Sequence, residues 1–500
     1  MGIIKRQFFK ASAATYVGVA LGYLNVTILF PYFCSPEELG LYRVIINMAT
    51  MFAAIAYMGT PQAIIKQFPF FNKKGQAKEF YGLLLIMFLT TLLISFTLLF
   101  LLENVVISFF KDKSPEVGEY YYYSVFIAFS LAVYVLFISN VRLIKRIAFP
   151  AFLKDVFLRL IIMGSIILLG FEFIDFRGFI MLLCGAYLSI TLIGIVYSIK
   201  LVPFEVSLKI KNLKGIDIRD TLNFSLITFL ASVSNIIIMN ADSLMISALS
   251  KEGLADTGIY TIAFFIGSTL DIPRRIINLV TGPMIAEYWV DGSMDKIKDA
   301  FKETSINSLI IGCFIFGVIW INLESIYQLI PNSELYIKGI NVVLFILLAR
   351  LFEMSCSISP NILTQTKLYI YNLPLAILLV VLTVSLNYFL IPVYGILGAG
   401  FATMLSVIIY NSIKLIVIQI AFKINPFEVA TLKVLFLFAL IIALFYQLPE
   451  IENVFLSIAL NSLIFSLLFV IPTYYFNFSR GFNQTIDNNL NQFKKYLNRK

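Results

Sequence analysis

Apolar runs of about twenty residues recur from residue 8 to residue 476 of this chain, with no soluble-looking stretch between them. In lipid, every backbone N–H and C=O must find a partner inside the protein, so only helices and closed barrels can span it. Barrel strands alternate in polarity over about ten residues, whereas these runs are continuously apolar. The chain therefore reads as an all-α polytopic membrane protein. Of its 500 residues, 60% are hydrophobic, and the mean hydropathy is +0.90. That is more apolar side chain than a soluble protein of this size could bury.

About fourteen transmembrane helices are expected, at roughly 8–33, 40–66, 80–102, 119–141, 151–171, 178–200, 220–247, 258–285, 304–324, 338–361, 370–392, 396–422, 433–449 and 453–476. Cytoplasmic loops of such proteins carry an excess of Lys and Arg. With the N-terminus inside, the outer segments hold only Lys111, Lys113, Arg177, Lys251 and Lys338. Most other basic residues fall on the inner side, which puts both termini in the cytoplasm. This distribution assigns the net charge of +9 to topology and anionic lipid, and away from nucleic acid. The Lys-rich segment 200–219 reads as a connector between halves. Phe482, Ile486, Leu490, Phe493 and Leu497 are spaced as one face of an amphipathic tail helix.

Several classes of chemistry are excluded. No GxxxxGK[ST] loop occurs, so the chain has no P-loop of its own. There is no histidine, which removes the usual proton shuttle and metal ligand. Cys34, Cys184, Cys313 and Cys356 are scattered without metal-ligand spacing. No cleavable signal peptide is expected, because the first apolar run is too long for one. No catalytic residues, metal or cofactor are expected.

Two segments resemble each other. PEELGLYRV precedes the second span and LADTGIYTI the eighth, and each inward-running helix ends near a Gly-Pro element, at Gly59-Thr60-Pro61 and Gly282-Pro283. An offset of six spans preserves orientation, so the repeats are parallel. With MGTPQAIIKQFPFF (58–71), ADSLMISALSKEGLADTGIYTIAFF (241–265) and IPVYGILGAGFATMLSVIIY (391–410), the pattern resembles the polysaccharide-flippase branch of the multidrug/oligosaccharidyl-lipid/polysaccharide exporter superfamily. The resemblance covers most of residues 8–422. It implies an N-lobe over 1–214, a C-lobe over 215–422, and two further helices with the tail over 423–500. It also implies alternating access and a bacterial cytoplasmic-membrane location. The implied substrates are undecaprenyl-diphosphate-linked repeat units for O-antigen, capsule or exopolysaccharide, with membrane lipids and other glycan-assembly membrane proteins as partners.

Charged residues within the spans are the candidate site. An ion at mid-bilayer costs at least ~2.5 kcal/mol, so it should face protein or water. Asp155 and Arg159 are spaced i, i+4. Asp271 precedes Arg274 and Arg275 by three and four residues, beside Pro273. Arg350 and Glu353 are spaced i, i+3. Each spacing puts both partners on one helix face. Guanidinium groups suit a diphosphate because they stay charged and their fork matches phosphate oxygens, so Arg274, Arg275, Arg350, Arg159 and Arg43 are the candidate substrate-binding residues. The competing reading neutralises each Arg with its own helix neighbour. Asp271 and Asp242 are candidates for coupling to a proton or sodium gradient. Asn25, Asn47, Asn235 and Asn240 are candidates for sugar contacts, although amides between helices more often bond to each other. Lys414 is expected to snorkel to the inner interface. A drug/cation antiporter of the same superfamily, a peptidoglycan-precursor flippase and a membrane glycan polymerase or ligase remain as alternatives. An antiporter would favour an acidic cavity, and a polymerase a large outer loop.

Overall fold

The computed structural model describes residues 2–202, 207, 218–447, 449, 451–484 and 486–488; for part of these, including Asn235, only the backbone is described. Most of the 200–219 connector, the 214/215 lobe boundary and the tail from 489 lie outside the described residues. So do Leu490, Phe493 and Leu497 of the expected tail helix.

The described residues are helical, with no strand among them. The helices are α1 (Gly2–Tyr23), α2 (Pro36–Tyr57), α3 (Thr60–Lys73), α4 (Ala77–Leu101), α5 (Tyr121–Leu143), α6 (Leu158–Gly170), α7 (Phe176–Leu201), α8 (Ile218–Leu249), α9 (Leu254–Gly267), α10 (Asp271–Val290), α11 (Met294–Ile321), α12 (Ile340–Cys356), α13 (Ser359–Gln365), α14 (Asn372–Tyr394), α15 (Ile396–Phe422), α16 (Val429–Phe445) and α17 (Val454–Tyr475). Among the described residues, ten helices are long and apolar enough to cross a membrane. Interruptions account for some of the distance from fourteen. The fifth expected span carries a π-helical turn, Phe152–Phe157, ahead of α6. The eighth is divided by a 3-10 turn, Ser268–Leu270, between α9 and α10. Pro273 lies in the first turn of α10, where its missing N–H costs nothing.

Local chemistry sets the helix ends. Ser35 begins α2 with a capping box: its hydroxyl accepts from the Glu38 N–H, the Glu38 carboxylate accepts from the Ser35 N–H, and Pro36 follows. Asp175 and Asn453 cap α7 and α17 with a single bond each, accepting from the Gly178 and Leu456 N–H groups. These caps fill N–H groups that a helix start leaves orphaned. At the far end of α2, Gly59 takes φ +75° before Pro61, a left-handed conformation that glycine adopts without a side-chain penalty.

Packing groups the chain into two compact units, residues 1–262 with 387–396, and residues 263–386 with 397–500. In the first, Ala56, Phe71, Phe80, Tyr81, Phe88 and Leu136 belong to one buried cluster. In the second, Ile285, Phe301, Ile358, Ile362 and Ile418 share another. Outside these cores large apolar side chains stay exposed, among them Leu93, Phe96, Phe436 and Leu463. Helix α17 has a mean hydropathy of 2.5 while only 17% of its most apolar window is buried. Such faces fit contact with lipid.

The two repeat motifs touch. A Cβ at Gly40 would collide with the Leu254 carbonyl, and one at Gly258 with the Pro36 carbonyl. Leu254 is four residues before Gly258, and Pro36 four before Gly40. The first turns of α2 and α9 therefore meet backbone to backbone in a reciprocal contact inside the first unit.

Candidate functional site

Four charged side chains close a ring inside the second unit. Asp271 opens α10 and Arg274 follows one turn later; Arg350 and Glu353 sit one turn apart on α12. Arg274 binds Asp271 at 2.9 Å and faces Glu353 at 3.5 Å. Arg350 binds Glu353 at 2.7 Å and faces Asp271 at 3.5 Å. The short legs are the i, i+3 pairs of each helix, and the long legs join the two helices. The ring carries no net charge, which lowers the cost of burying four ions. Side-chain exposure falls from 26% at Arg274 to 6% at Asp271, so Arg274 is the member most open to a ligand. Arg350 also lies 6.0 Å from the centre of the Phe264 ring.

Arg275 is not in the ring. It is exposed and forms no hydrogen bond or ion pair with any described residue. The expectation that Arg274 and Arg275 share one Asp is corrected here. Successive residues on a helix point about 100° apart, and Asp271 is already engaged by Arg274 and Arg350.

Lys414 corrects another expectation. It is 2% exposed and does not reach an interface. Its ammonium donates to the Asn411 side-chain oxygen at 2.9 Å and lies 4.3 Å from the centre of the Tyr410 ring. It has no carboxylate partner among the described residues, yet Glu353 and Arg274 feel its charge. Asn411 and Tyr410 were missed, and Lys414 was assigned to the interface, because only cross-helix packing brings α15 near the ring.

Charges in the first unit are satisfied differently. Asp155 and Arg159 form no ion pair with each other. Both face α1, and each takes a partner on that helix in place of the other. The Asp155 carboxylate instead accepts from Thr15 at 2.8 Å, and Arg159 donates to the Gly18 carbonyl. The amide of Asn25 donates to the Arg159 carbonyl at 3.0 Å. Gly18 and Gly22 make this approach feasible: a Cβ at Gly22 would lie 2.6 Å from the Arg159 guanidinium, and one at Gly18 would strike the Asp155 backbone. The two glycines, four apart on α1, are the signal that locates this contact.

Arg43 is half-buried on α2, within electrostatic reach of Tyr42, Tyr187 and Tyr260. Asp242 is buried and accepts from the Tyr260 hydroxyl at 2.6 Å and the Asn387 amide at 2.7 Å. Of the candidate amides, Asn240 donates to its own helix at Ile236. Asn47 is 1% exposed and its amide nitrogen has no partner among the described residues. The side chain of Asn235 lies outside the described residues. Asn387 was missed, since it has no charged neighbour in sequence.

An apolar cavity of about 760 Å³ lies within the second unit, lined by Leu309, Leu351, Phe352, Ser355, Met404 and Leu432. Its α12 residues share the face of that helix opposite Arg350 and Glu353, so the cavity and the ring lie on two sides of α12. Among the described residues no group of three His, Cys, Asp or Glu could hold a metal ion.

A family model described as polysaccharide biosynthesis protein matches residues 4–289. No curated protein sequence matches the chain. Among solved structures, the lipid II flippase MurJ in an inward closed conformation aligns at a TM-score of 0.73 and 15% identity, covering 93% of this chain and 98% of that one. An inward-facing multidrug resistance MATE family transporter of the MOP superfamily aligns at 0.59 and 15% identity, covering 82% and 94%. A MOP superfamily transporter from Pyrococcus furiosus aligns at 0.55 and 14% identity, covering 84% and 96%.

Proposed function

The chain belongs to the polysaccharide biosynthesis protein family, and from that premise we propose that it flips undecaprenyl-diphosphate-linked oligosaccharides across the bacterial cytoplasmic membrane by alternating access. Two lobes and two further helices, fourteen spans in all, with both termini in the cytoplasm, belong to this reading. The observation that carries it is the ring: a partly open guanidinium, Arg274, whose contact with Glu353 is long enough to be exchanged for a phosphate oxygen. The diphosphate of a polyprenyl-linked glycan offers such an oxygen.

Arg274 is the entry point. Its contact with Glu353 is one of the two long legs, so a phosphate oxygen can replace that carboxylate at small cost and gain a charge-assisted bond. Glu353 keeps its short bond to Arg350, and the buried Lys414 offsets the carboxylate that Arg274 releases. Arg275, exposed and unengaged, supplies a second fork. Arg159, which donates to a backbone carbonyl, and Arg43 are further candidate substrate contacts. No bond in the substrate is made or broken. Asp242, which accepts from the Tyr260 hydroxyl and the Asn387 amide, and Asp271, held by two guanidinium groups, are the candidates for ion coupling. Asn47, with its free amide nitrogen, is the best placed of the candidate sugar contacts.

The test is flipping in proteoliposomes loaded with lipid-linked oligosaccharide. Wild-type protein should expose the glycan to an external probe, and Arg274→Ala should abolish exposure. Equal flipping by both proteins removes the ring from the mechanism. Dissipating the proton and sodium gradients in turn identifies the coupling ion; flipping indifferent to both ends the coupling idea. A peptidoglycan precursor is the second reading, favoured by the extent of the likeness to the lipid II flippase. Its diphosphate would fit the same ring, so competition between the two lipids decides between them.

A further inference from the structure

A second cavity, of about 420 Å³, opens within the second unit, where the ends of α11 and α16 meet the start of α17. Its character is opposite to that of the apolar one. Trp320 and Tyr446 form an aromatic wall, and Glu324, Glu452, Gln328 and Asn461 supply the polar lining. The Trp320 ring nitrogen donates to the Tyr446 hydroxyl at 3.2 Å, which fixes the indole. Asn461 is held by the buried Ser457 hydroxyl at 3.2 Å. Glu324 and Glu452 are exposed and engaged by no described residue.

The described lining includes no Lys or Arg to hold a phosphate or another anion, and among the described residues no group of three His, Cys, Asp or Glu could hold a metal ion. A neutral polyhydroxylated ligand fits the groups present; an organic cation is the rival that the ethanolamine comparator tests. Carboxylates accept from vicinal hydroxyls, amides both donate and accept, and a fixed indole offers an apolar face to a sugar ring. The volume lies in the range of small-ligand pockets.

We propose that this cavity is a saccharide-binding site on the outer face, which receives the glycan of the translocated lipid. Its side of the membrane follows from the Lys and Arg distribution, and its ligand rests on the flippase reading above.

The chain's two tryptophans are Trp289 and Trp320, so Trp289→Phe leaves Trp320 as the sole indole reporter in the full-length protein. In nanodiscs, this variant is titrated with the water-soluble oligosaccharide released by mild acid from the host's own lipid-linked intermediates. Ethanolamine and inorganic phosphate serve as comparators. Saturable change in Trp320 emission with the oligosaccharide alone is expected, and at least tenfold weaker binding when Glu324→Ala and Glu452→Ala are added. No saturable change, an equal response to ethanolamine, or binding that survives both substitutions would overturn the site and leave Trp320 as a membrane-interface anchor only. Wild-type flipping of the same lipid-linked oligosaccharide is measured in parallel. If flipping persists without Trp320 binding, this inference alone fails; if wild-type protein does not flip the lipid, the reading beneath it fails.

Discussion

The two units hold their buried charges by opposite means. In the second, ions neutralise ions: Asp271, Arg274, Glu353 and Arg350 close a ring of four contacts between 2.7 and 3.5 Å. In the first, Asp155 and Arg159 are held by neutral dipoles, namely the Thr15 hydroxyl and the Gly18 carbonyl. A ring of opposite charges fails sharply when one member is removed, because a buried ion is left without compensation. A charge held by dipoles should lose only a hydrogen bond when it is neutralised. The ring also has something to exchange with an anionic ligand, whereas the dipole-held charges do not.

The largest expected effect tests the ring. Glu353→Gln leaves two guanidinium groups sharing one carboxylate, and breaking a buried pair in this way costs roughly 3–5 kcal/mol. Membrane abundance and the detergent melting temperature should both fall. Adding Arg350→Met should recover part of the loss, since it removes the stranded cation. A single variant that melts like wild type would mean that the ring is solvated, and the contrast between the units would disappear.

Next comes the contact between the repeats. Gly40→Val and Gly258→Val each push a side chain into the facing carbonyl, a crowding that costs about 1–3 kcal/mol. Both act on one contact, so their effects should be strongly sub-additive. Additive losses would separate the two glycines and remove the reciprocal arrangement.

What was legible in the sequence divides along the same line. Continuous apolar runs gave the helical class, because backbone satisfaction in lipid leaves little choice. The bonds Asp271–Arg274 and Arg350–Glu353 follow from spacing on one helix. The long legs of the ring do not, since they join residues about eighty positions apart and depend on how α10 and α12 pack. The Asp155–Arg159 pairing failed because both side chains find partners on the facing helix α1, which spacing along their own helix does not show. Lys414 sat near the end of an apolar run, where snorkelling is the usual outcome, and its aromatic and amide partners showed no pattern. Gly40 and Gly258 were visible as a repeat, but their mutual contact was not. Gly18 and Gly22 carried a packing signal that only the facing helix explains.

A smaller effect separates two carboxylates within the first unit. Asp242→Asn confronts two donors with one acceptor oxygen and an NH₂ group, so one buried bond is lost at a cost of about 1–3 kcal/mol. Asp155→Asn keeps an oxygen for the exposed Thr15 contact and should change stability by less than about 0.5 kcal/mol. Melting curves of the two variants measure the difference directly. Equal losses would show that Asp155 carries a structural charge that its single observed hydrogen bond does not reveal.

The smallest expected effect on stability belongs to Arg275, and it is the most informative for function. An exposed side chain without a described partner should contribute less than about 0.5 kcal/mol to folding, so Arg275→Ala should insert, accumulate and melt like wild type. If Arg275 meets the substrate's phosphate, its removal loses a charge-assisted bond of about 1.5–3 kcal/mol, at least a tenfold loss of flipping at low substrate. Arg275→Lys retains the charge without the fork. Recovery by Lys would assign the residue a field effect, and continued loss would assign it a bidentate contact. Wild-type flipping by Arg275→Ala would leave Arg274 alone as the anion's entry point, so that ligand capture depends on exchange within the ring and not on a charge held outside it.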